Sequence, residues 1–522
     1  MYSVTHGIAL YGIEGIIVGV EADVQTGLPS FEMVGLAASS IRESKERVRS
    51  ALINSGFTWP RGRLTVSLSP ADWKKDGSGL DLPIAVAILI ASEQMPPIPH
   101  HTILLGELAL DGSIRAFRGL YAAVKCAQDL EAKTIILPAT DDIDQLPVEH
   151  FIQRMGAYSL SDAVSILQGH PPLKRNETDD SRNHQHHFPH QPVAKSVKTG
   201  STDSPLLDFS EVAGQDLAKR ALLISAVGGH HILLYGPPGS GKSMLAERFP
   251  SILPSLSSTE FAELKHIYSI AGLSITEQVS RPFRAPHHSI TVQGLLGGGT
   301  HPKPGEITLA HHGVLFLDEL PEFPRLALEG LRQPLETQHI TVSRSAYTTT
   351  FPCDFHMIAA MNPCPCGYHG FSSELHQCTC NDRDIARYRA KLSGPLLDRI
   401  DMTLWITPVS ASHWHDTERH TREHSATMLS KVIAAREFQE HRKRTLQTNT
   451  SPITPMDRLQ TLLFDSPSVH LLIQSGDRLQ LSSRSLMKIA HVSRSIADIE
   501  QSDHVAVTHV AEALQYRTYT TT

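Results

Sequence analysis

The run YGPPGSGKS places glycines at a spacing that suits the binding of phosphate. Gly236, Gly239 and Gly241 allow the backbone to turn tightly, so that its N–H groups can point inward at phosphate oxygens. The pattern Gly-x-x-x-x-Gly-Lys-Ser spans Gly236–Ser243 and predicts a loop that cradles a nucleoside triphosphate. The other residues assigned to this loop are Pro237, Pro238, Ser240, Lys242 and Ser243.

Lys242 and Ser243 supply the charged and metal-binding groups of the predicted loop. The lysine neutralises the β- and γ-phosphates and the serine hydroxyl is a ligand for Mg²⁺, so ATP and Mg²⁺ are the expected cofactors. An apolar strand ends at residues 233–235, and a helix that begins near Gly241 adds the positive end of its dipole. This context argues against the alternative, a Gly-rich turn without a ligand.

Two further apolar runs end in polar residues that suit hydrolysis. In GVLFLDEL, residues 314–317 predict a buried strand followed by Asp318 and Glu319. We assign Asp318 to the Mg²⁺ ion and Glu319 to activation of the attacking water. FHMIAAMNP predicts a strand that ends at Asn362, whose amide can orient that water. A turn-forming Asn-Pro pair is the alternative there.

Two arginines are candidates for stabilising the charge that develops on the transferred phosphate. Arg399 in SGPLLDRID follows a short predicted helix near the end of the core, which fits an arginine finger that reaches the ATP of a neighbouring subunit. Arg484 in LSSRSLMKIAHVSRSIADI begins a helix, as a sensor arginine does. An ordinary surface salt bridge is the alternative for each.

Four of the six cysteines crowd into CPCGYHGFSSELHQCTC. The thiolates of Cys364, Cys366, Cys378 and Cys380 can form a tetrahedral site for a structural Zn²⁺, although each pair is closer in sequence than the usual C-x₂-C. A redox or vestigial cluster is the alternative. Four cysteine ligands would leave no open position, which argues against a catalytic zinc.

Composition excludes several other classes of protein. The 522 residues are 40% apolar and 19% charged, as in ordinary globular proteins, and the net charge of −7 gives no basic footprint for nucleic acid over the whole chain. The start, MYSVTHGIALYG, has no secretory pattern. The apolar helical stretch at 82–91 is about half the length of a membrane span. We therefore expect a cytoplasmic protein without a membrane partner.

Changes in pattern divide the chain into an α/β protein of three domains and a linker. IIVGVEADV, RLTVSLS and TIILP predict strands, and Ser39–Ile53 and Leu80–Ser92 predict helices. LLGELALDGSIRAF predicts a hairpin. The polar, Pro-rich run before residue 206 predicts a flexible linker with incidental histidines. The predicted parts are an N-terminal domain (1–168), the linker (169–205), a nucleotide-binding core (206–408) and a C-terminal helical lid (409–522).

Two further segments of the core are interpreted as a β-hairpin and as a loop insert. ETQHITVSRSAYTTTFPCDF predicts a β-hairpin, and Arg344 and Tyr347 on it suit contacts with a nucleic-acid strand. An edge hairpin with a solvated arginine is the alternative. The run RPFRAPHHSITVQGLLGGG contains His287 and His288. We interpret it as a loop insert packed beside the ATP site, in preference to a metal site.

Together, GPPGSGKS, FRAPHHS, PGEITLAHHGVLFLDEL, AAMNPCPCG, SGPLLDRID and HVAEALQYR closely resemble the ComM/YifB family of magnesium chelatase-like AAA+ proteins. The resemblance covers nearly the whole chain outside the linker. It implies a P-loop AAA+ core with a helical lid, and a hexameric ring. It also implies DNA as substrate, a recombinase as candidate partner, and branch-migration helicase activity in homologous recombination during natural transformation. A chelatase-type motor and a protein-remodelling ATPase remain the alternatives.

The N-terminal region resembles the Lon protease domain, which has a ribosomal-S5-like fold. SLSPADWKKDGSGLDLPIAVAIL and LLGELALDGSIRAFRGLYAAVKCA carry the resemblance. Gly79 stands at the position of the Lon nucleophilic serine, with Ser78 one place early, and Tyr121 stands at that of the catalytic lysine. A Ser–Lys dyad needs a hydroxyl and an amine within reach of each other. We therefore expect no peptidase activity, although Lys125 lies one turn beyond Tyr121.

Overall fold

The contacts within the computed structural model divide the chain into two compact units. The first comprises Met1–Val197 with Phe261–Ile275, and the second comprises Lys198–Glu260 with Thr276–Thr522. The predicted linker lies outside the described residues from 171 onward. The structure describes residues 1–35, 39–71, 75, 78–139, 152–170, 207–273, 280–299, 302–344, 347–371, 377–409, 423–445 and 455–517.

The first unit is built on a mixed seven-stranded sheet in the order β3-β4-β2-β1-β5-β8-β9. The β1–β2 and β2–β4 pairs are antiparallel, and the other pairs are parallel. Its strands are β1 (Tyr2–Tyr11), β2 (Glu14–Gln25), β3 (Ser30–Val34), β4 (Arg63–Ser69), β5 (Thr102–Leu104), β8 (Thr134–Pro138) and β9 (Gln153–Ala157), and a separate hairpin joins β6 (Glu107–Leu108) to β7 (Ile114–Arg115).

Helices cover this sheet, and one of them is wholly buried. The helices are α1 (Ser39–Asn54), α2 (Asp81–Ala91), α3 (Leu120–Asp129) and α4 (Leu160–Leu167). Every residue of α2 is buried, which explains why its sequence is apolar on all faces. The predicted hairpin is confirmed, since Leu108 pairs with Ile114. The strands and helices that the sequence predicts in this unit are likewise present.

The second unit contains a parallel five-stranded sheet in the order β11-β12-β15-β10-β16. Its strands are β10 (Ile232–Tyr235), β11 (Phe283–Arg284), β12 (Val314–Leu317), β15 (His356–Met361) and β16 (Met402–Trp405), and a separate hairpin is formed by β13 (His339–Arg344) and β14 (Tyr347–Pro352). The apolar strands β10 and β12 are short and wholly buried, as is usual in parallel sheets that are covered on both faces. The helices of this layer are α5 (Asp216–Gly228), α6 (Lys242–Arg248), α8 (Val292–Leu296), α9 (Glu306–Leu309), α10 (Arg325–Gly330), α11 (Pro334–Thr337), α12 (Asp382–Arg389) and α13 (Gly394–Leu397), while α7 (Ser258–Ala271) crosses the boundary between the units.

The C-terminal part of the second unit is helical. It consists of α14 (Ser425–Thr445), α15 (Pro455–Thr461), α16 (Ser466–Arg478), α17 (Ser483–Ile499) and α18 (Val507–Gln515). Val432, Ile489 and Val510 belong to the same buried cluster as Leu234 and Leu245, so these helices share one hydrophobic core with the α/β layer. A parallel sheet with a helical C-terminal region is consistent with the AAA+ fold of magnesium chelatases. None of the described helices has the length and apolar character needed to cross a bilayer.

The first unit offers a direct test of a buried ion pair. Asp81 is fully buried and accepts hydrogen bonds from Arg47 Nε at 2.8 Å and Nη2 at 3.1 Å, and from Leu108 N at 3.2 Å. Removing the carboxylate leaves these three donors without their acceptor. We expect Asp81→Ala to lower the free energy of unfolding of this unit by about 3 kcal/mol. Hydrogen exchange of peptides from α2, followed at increasing urea concentration, measures this free energy.

The matched control is the exposed Arg63–Glu32 pair of the same sheet, with its atoms 3.1 Å apart. Arg63→Ala should cost less than about 1 kcal/mol because water screens both charges. Equal losses for the two variants would contradict the assignment of Asp81 as a structural anchor.

Candidate functional site

The carboxyl ends of the parallel strands bring the predicted hydrolysis residues to one edge of the sheet. The phosphate loop follows β10, which pairs with both β15 and β16. Asp318 follows β12 and Asn362 follows β15. Crevices at this edge are the usual position of ligands in open parallel sheets.

The phosphate loop needs glycine at two kinds of position. A Cβ added at Gly236 would lie 2.1 Å from Ile406 O, so only glycine lets the loop leave the sheet so close to β16. Gly239 and Gly241 adopt φ angles of +75° and +90°, in the left-handed region that favours glycine. Gly241 precedes Lys242, the first residue of α6, so the loop leads directly into a helix N-terminus. This geometry matches what the sequence predicts for binding phosphate.

Lys242 lies in the concavity of the loop. Its Nζ donates to the carbonyl oxygens of Gly236 and Pro237, both at 2.8 Å, and lies 3.4 Å from Asn362 Oδ1. Burial lowers the pKa of Lys242 to about 8, partly offset by the charge of Asp318. The amine is therefore largely desolvated, and the negative charge of a phosphate would be a strong partner for it.

Ser243 and Asp318 are in direct contact. Ser243 Oγ donates to Asp318 Oδ2 at 2.9 Å, so a hydroxyl and a carboxylate oxygen converge on one point. Both are hard oxygen ligands of the kind that Mg²⁺ prefers. Asp318 Oδ1 also accepts from Glu319 N at 2.9 Å, which fixes the carboxylate. The residues present therefore fit a magnesium ion, which Ser243 and Asp318 would hold.

Three contacts of the site were not predicted from the sequence. Gln215 Nε2 donates to Ser240 O at 3.2 Å and to Thr407 O at 2.7 Å, and so ties the phosphate loop to the segment after β16. His288 Nδ1 lies 3.0 Å from Glu319 Oε2. This contact confirms that the loop with the paired histidines lies beside the ATP site. A polar residue just before α5 was the only sequence signal for Gln215.

The two candidate arginines lie together at the opposite edge of the sheet. Arg399 Nη2 and Arg484 Nη2 both pair with Glu336, at 2.9 Å and 2.6 Å. Arg399 Nε also donates to Arg332 O at 2.9 Å. Arg399 is buried, whereas the side chain of Arg484 is half exposed.

The position of this arginine pair follows from the strands. Asp401 N donates to His231 O at 3.0 Å, so Arg399 stands beside the amino end of β10, whereas the phosphate loop begins at its carboxyl end. Four residues of strand separate these ends by about 13 Å. The structure thus does not bring Arg399 to the phosphate loop of its own chain.

The four clustered cysteines are brought together as the sequence predicts. Their Sγ atoms all lie within 4.8 Å of one another, with Cys364–Cys366 at 3.3 Å, Cys366–Cys378 at 3.6 Å and Cys364–Cys378 at 3.8 Å. Four sulfurs at about 2.3 Å from a tetrahedral zinc would be about 3.8 Å apart. Burial alone would raise the pKa of the Cys366 thiol, but the backbone N–H groups of Tyr368 and Thr379 lower it to about 5. Within the same cluster the pKa of Cys380 is raised to about 12, so the fit to a metal rests on the spacing of the sulfurs. The donor set therefore fits Zn²⁺.

The cysteine cluster lies against the phosphate loop. A Cβ added at Gly367 would be 2.8 Å from Pro238 Cδ and 4.0 Å from Asn362 Cγ. Gly367 has a φ angle of +89°, so glycine is needed both for the turn and for the close approach. The side chains of Arg344 and Tyr347, predicted to contact a nucleic-acid strand, lie outside the described part of the chain.

Comparisons with known proteins agree with this geometry. The chain is 38% identical over 518 residues to the uncharacterized protein YifB of Escherichia coli K12, which covers 99% of this chain and 97% of that protein. It is 36% identical over 520 residues to the competence protein ComM of Haemophilus influenzae, with coverage of 99% and 97%. The chain belongs to the ComM/YifB family of magnesium chelatase-like proteins.

Family profiles match three segments of the chain. Profiles described as magnesium chelatase subunit ChlI, subunit ChlI of Mg-chelatase, and the ChlI C-terminal region match residues 208–414, 20–141 and 422–517. A magnesium-chelatase 67 kDa subunit of Chlorobaculum tepidum is 29% identical over 166 residues, which cover 30% of this chain and 24% of that subunit. The family is one of AAA+ ATPases, so ATP and Mg²⁺ are the expected ligands of the phosphate loop and of the Ser243–Asp318 pair.

Proposed function

We propose that this protein is an ATP-driven motor that assembles into a homo-hexameric ring in the cytoplasm and moves branched DNA. The proposal of a ring is supported by the separation of two groups of residues that hydrolysis would need. Lys242, Ser243 and Asp318 lie at one edge of the sheet, and Arg399 lies at the other. An arginine that assists hydrolysis from that position has to serve the ATP of a neighbouring subunit.

Head-to-tail contacts of this kind close into rings when the rotation between subunits allows it. Within each interface, Asp318 would hold Mg²⁺, Glu319 would polarise the attacking water and Asn362 would orient it. Arg399 of the adjoining protomer, released from Glu336, would stabilise the charge on the phosphoryl group during its transfer. Arg484 pairs with the same carboxylate and therefore belongs to the same face.

The choice of DNA as substrate is supported by the full-length similarity to a protein named for competence. The β13–β14 hairpin adds a physical argument. Thr341, Ser343, Thr348 and Thr350 expose hydroxyls that can donate to phosphate oxygens. We further propose that the motor migrates branches in homologous recombination of incoming DNA, with a recombinase as partner.

An ATPase assay with forked DNA, with casein and with neither tests the choice of substrate. We expect forked or four-way DNA to raise turnover and casein to leave it unchanged. ATP should then convert a four-way junction into two duplexes, and Lys242→Ala should abolish that conversion. Stimulation by casein would instead indicate protein remodelling. Turnover that no polymer alters would favour a chelatase-type motor.

Subunit mixing tests whether Arg399 acts on a neighbour. Arg399→Ala should lower turnover by about 10³–10⁵-fold and still bind ATP, and Lys242→Ala should abolish turnover. Mixed rings should recover turnover, because some interfaces then combine an intact phosphate loop with an intact arginine. Arg387→Ala on the exposed face of α12 is the control. Mixtures no more active than either variant alone would exclude an arginine supplied by a neighbour.

We also propose that the four clustered cysteines bind a structural Zn²⁺ ion. The support is the mutual spacing of the sulfurs and the depth of Cys364, which is fully buried. Held at the cluster, the ion would fix the loop that carries Asn362 and presses on Pro238. Its function would be to stiffen one wall of the nucleotide site, with no part in the chemistry.

Metal analysis of protein purified without chelator should give about one Zn²⁺ per chain. Cys378→Ser and Cys380→Ser should release it and lower the melting temperature, because the remaining ligands cannot complete the tetrahedron. Cys126→Ser and Cys353→Ser, at the two isolated cysteines, are the matched controls and should retain the metal. Metal-free protein with a disulfide among the four cysteines would favour a redox cluster.

For the first unit, we propose a Lon-like fold that has lost peptidase chemistry. A Cβ added at Gly79 would lie 2.6 Å from the ring of Phe117, so a serine there would not fit without a rearrangement. Tyr121 is buried, and burial raises the pKa of its hydroxyl to about 12. Ser78 instead donates its hydroxyl to Glu107. A role in ring assembly or in DNA binding remains for this unit.

A further inference from the structure

Glu319 is held at both ends by neighbouring groups. Its backbone N–H donates to Asp318 Oδ1 at 2.9 Å. Its carboxylate faces His288, whose Nδ1 lies 3.0 Å from Oε2. A carboxylate can only accept a hydrogen bond, so the ring nitrogen is the donor. The histidine therefore constrains the position of the group that is assigned to activate water.

The backbone of Glu319 adopts a conformation that needs such a constraint. Its φ and ψ angles are +53° and +46°, in the left-handed region that residues with a Cβ seldom adopt. Such conformations persist where the surroundings impose them, and they cluster at functional sites. The contacts with Asp318 and His288 can hold Glu319 in this conformation.

His288 is itself held in place by packing. Its ring lies 4.0 Å from that of His287 between centroids, and 6.5 Å from that of buried Phe323 in an edge-on arrangement. The segment that carries it leaves β11, where Arg284 forms two hydrogen bonds to Glu306, at 2.6 Å and 2.8 Å. The start of the segment that places the imidazole beside Glu319 is therefore anchored.

The same segment continues to the hairpin. After α8, Gly298 lies against β13, where an added Cβ would be 3.5 Å from Val342 Cγ1. On the other side, a Cβ added at Gly330 would be 2.1 Å from Leu296 Cδ1, so α8 packs closely on α10. Residues 285–299 thus contact Glu319 at one end and the β13–β14 hairpin at the other.

We propose that His288 is a positioning residue for Glu319, and that residues 285–299 link the β13–β14 hairpin to the rate of ATP hydrolysis. The proposal rests on the ATPase activity proposed above. His288 aligns the carboxylate with the attacking water, and a load on the hairpin reaches that alignment through the segment. The contact of His288 is with Glu319, whereas the phosphate loop and the Ser243–Asp318 pair are formed by other residues, so its effect should fall on the rate and its coupling.

The first test compares substitutions at His288. His288→Ala should lower kcat on the order of 10–100-fold, because a small misplacement of a reacting group carries such a cost. ATP affinity, measured with a fluorescent analogue, should stay unchanged. His288→Asn places an amide donor near the Nδ1 position and should recover most of kcat. Gln293→Ala, on the exposed face of α8 in the same segment, is the matched control and should keep both values.

A double substitution separates positioning from folding. If His288 acts through Glu319, then His288→Ala should add little to the loss caused by Glu319→Gln. DNA should also stimulate His288→Ala by a smaller factor than it stimulates wild type and Gln293→Ala.

Additive losses in the double variant, or a parallel loss of ATP affinity, would overturn the positioning role. Equal stimulation by DNA would overturn the link to the hairpin. A wild-type protein that does not hydrolyse ATP would instead overturn the proposed function, which keeps the two failures distinct.

Discussion

The parallel pairing of β10 with β15 and β16 is the constraint on which the second unit depends. It sets the carboxyl ends of these strands side by side, so that the phosphate loop, Asn362 and the exit of β16 meet at one edge. It equally sets the amino ends side by side, and there the partly buried Asp401 accepts from Lys488 at 2.7 Å and from His231 N at 2.8 Å. One sheet therefore carries two polar edges with different roles.

The amino edge keeps its charges by pairing them. Burial alone would raise the pKa of Asp401, but the charge of Lys488 and the adjacent histidines outweigh it and lower the pKa to about 2. His230 is fully buried, and desolvation lowers its pKa to about 4. A carboxylate paired with a lysine costs less to bury than an isolated charge. This network fixes the base of the segment that carries Arg399.

The sequence was most informative where the chemistry is local. Gly236–Ser243 could be read as a phosphate loop because every group in it belongs to one turn, and Asp318 could be read from the apolar run that it ends. Contacts between distant segments had no such signature. Gln215 reaches the loop only because β16 passes beside it, and Glu336 meets Arg399 and Arg484 only through tertiary packing. Spacing predicted an arginine near the end of the core, but not the edge of the sheet on which it would lie.

The cysteine cluster lies directly beside the phosphate loop and Asn362. Asn362 follows β15, and Cys364 and Gly367 come within the next few residues, so the position of the amide depends on how that turn is held. Backbone packing against Pro238 constrains it from one side. An ion bound by the four sulfurs would constrain it from the other, because tetrahedral ligation fixes distances to within a few tenths of an ångström. A wall held in this way would keep the distance from Asn362 to Lys242 constant while the nucleotide changes from triphosphate to diphosphate.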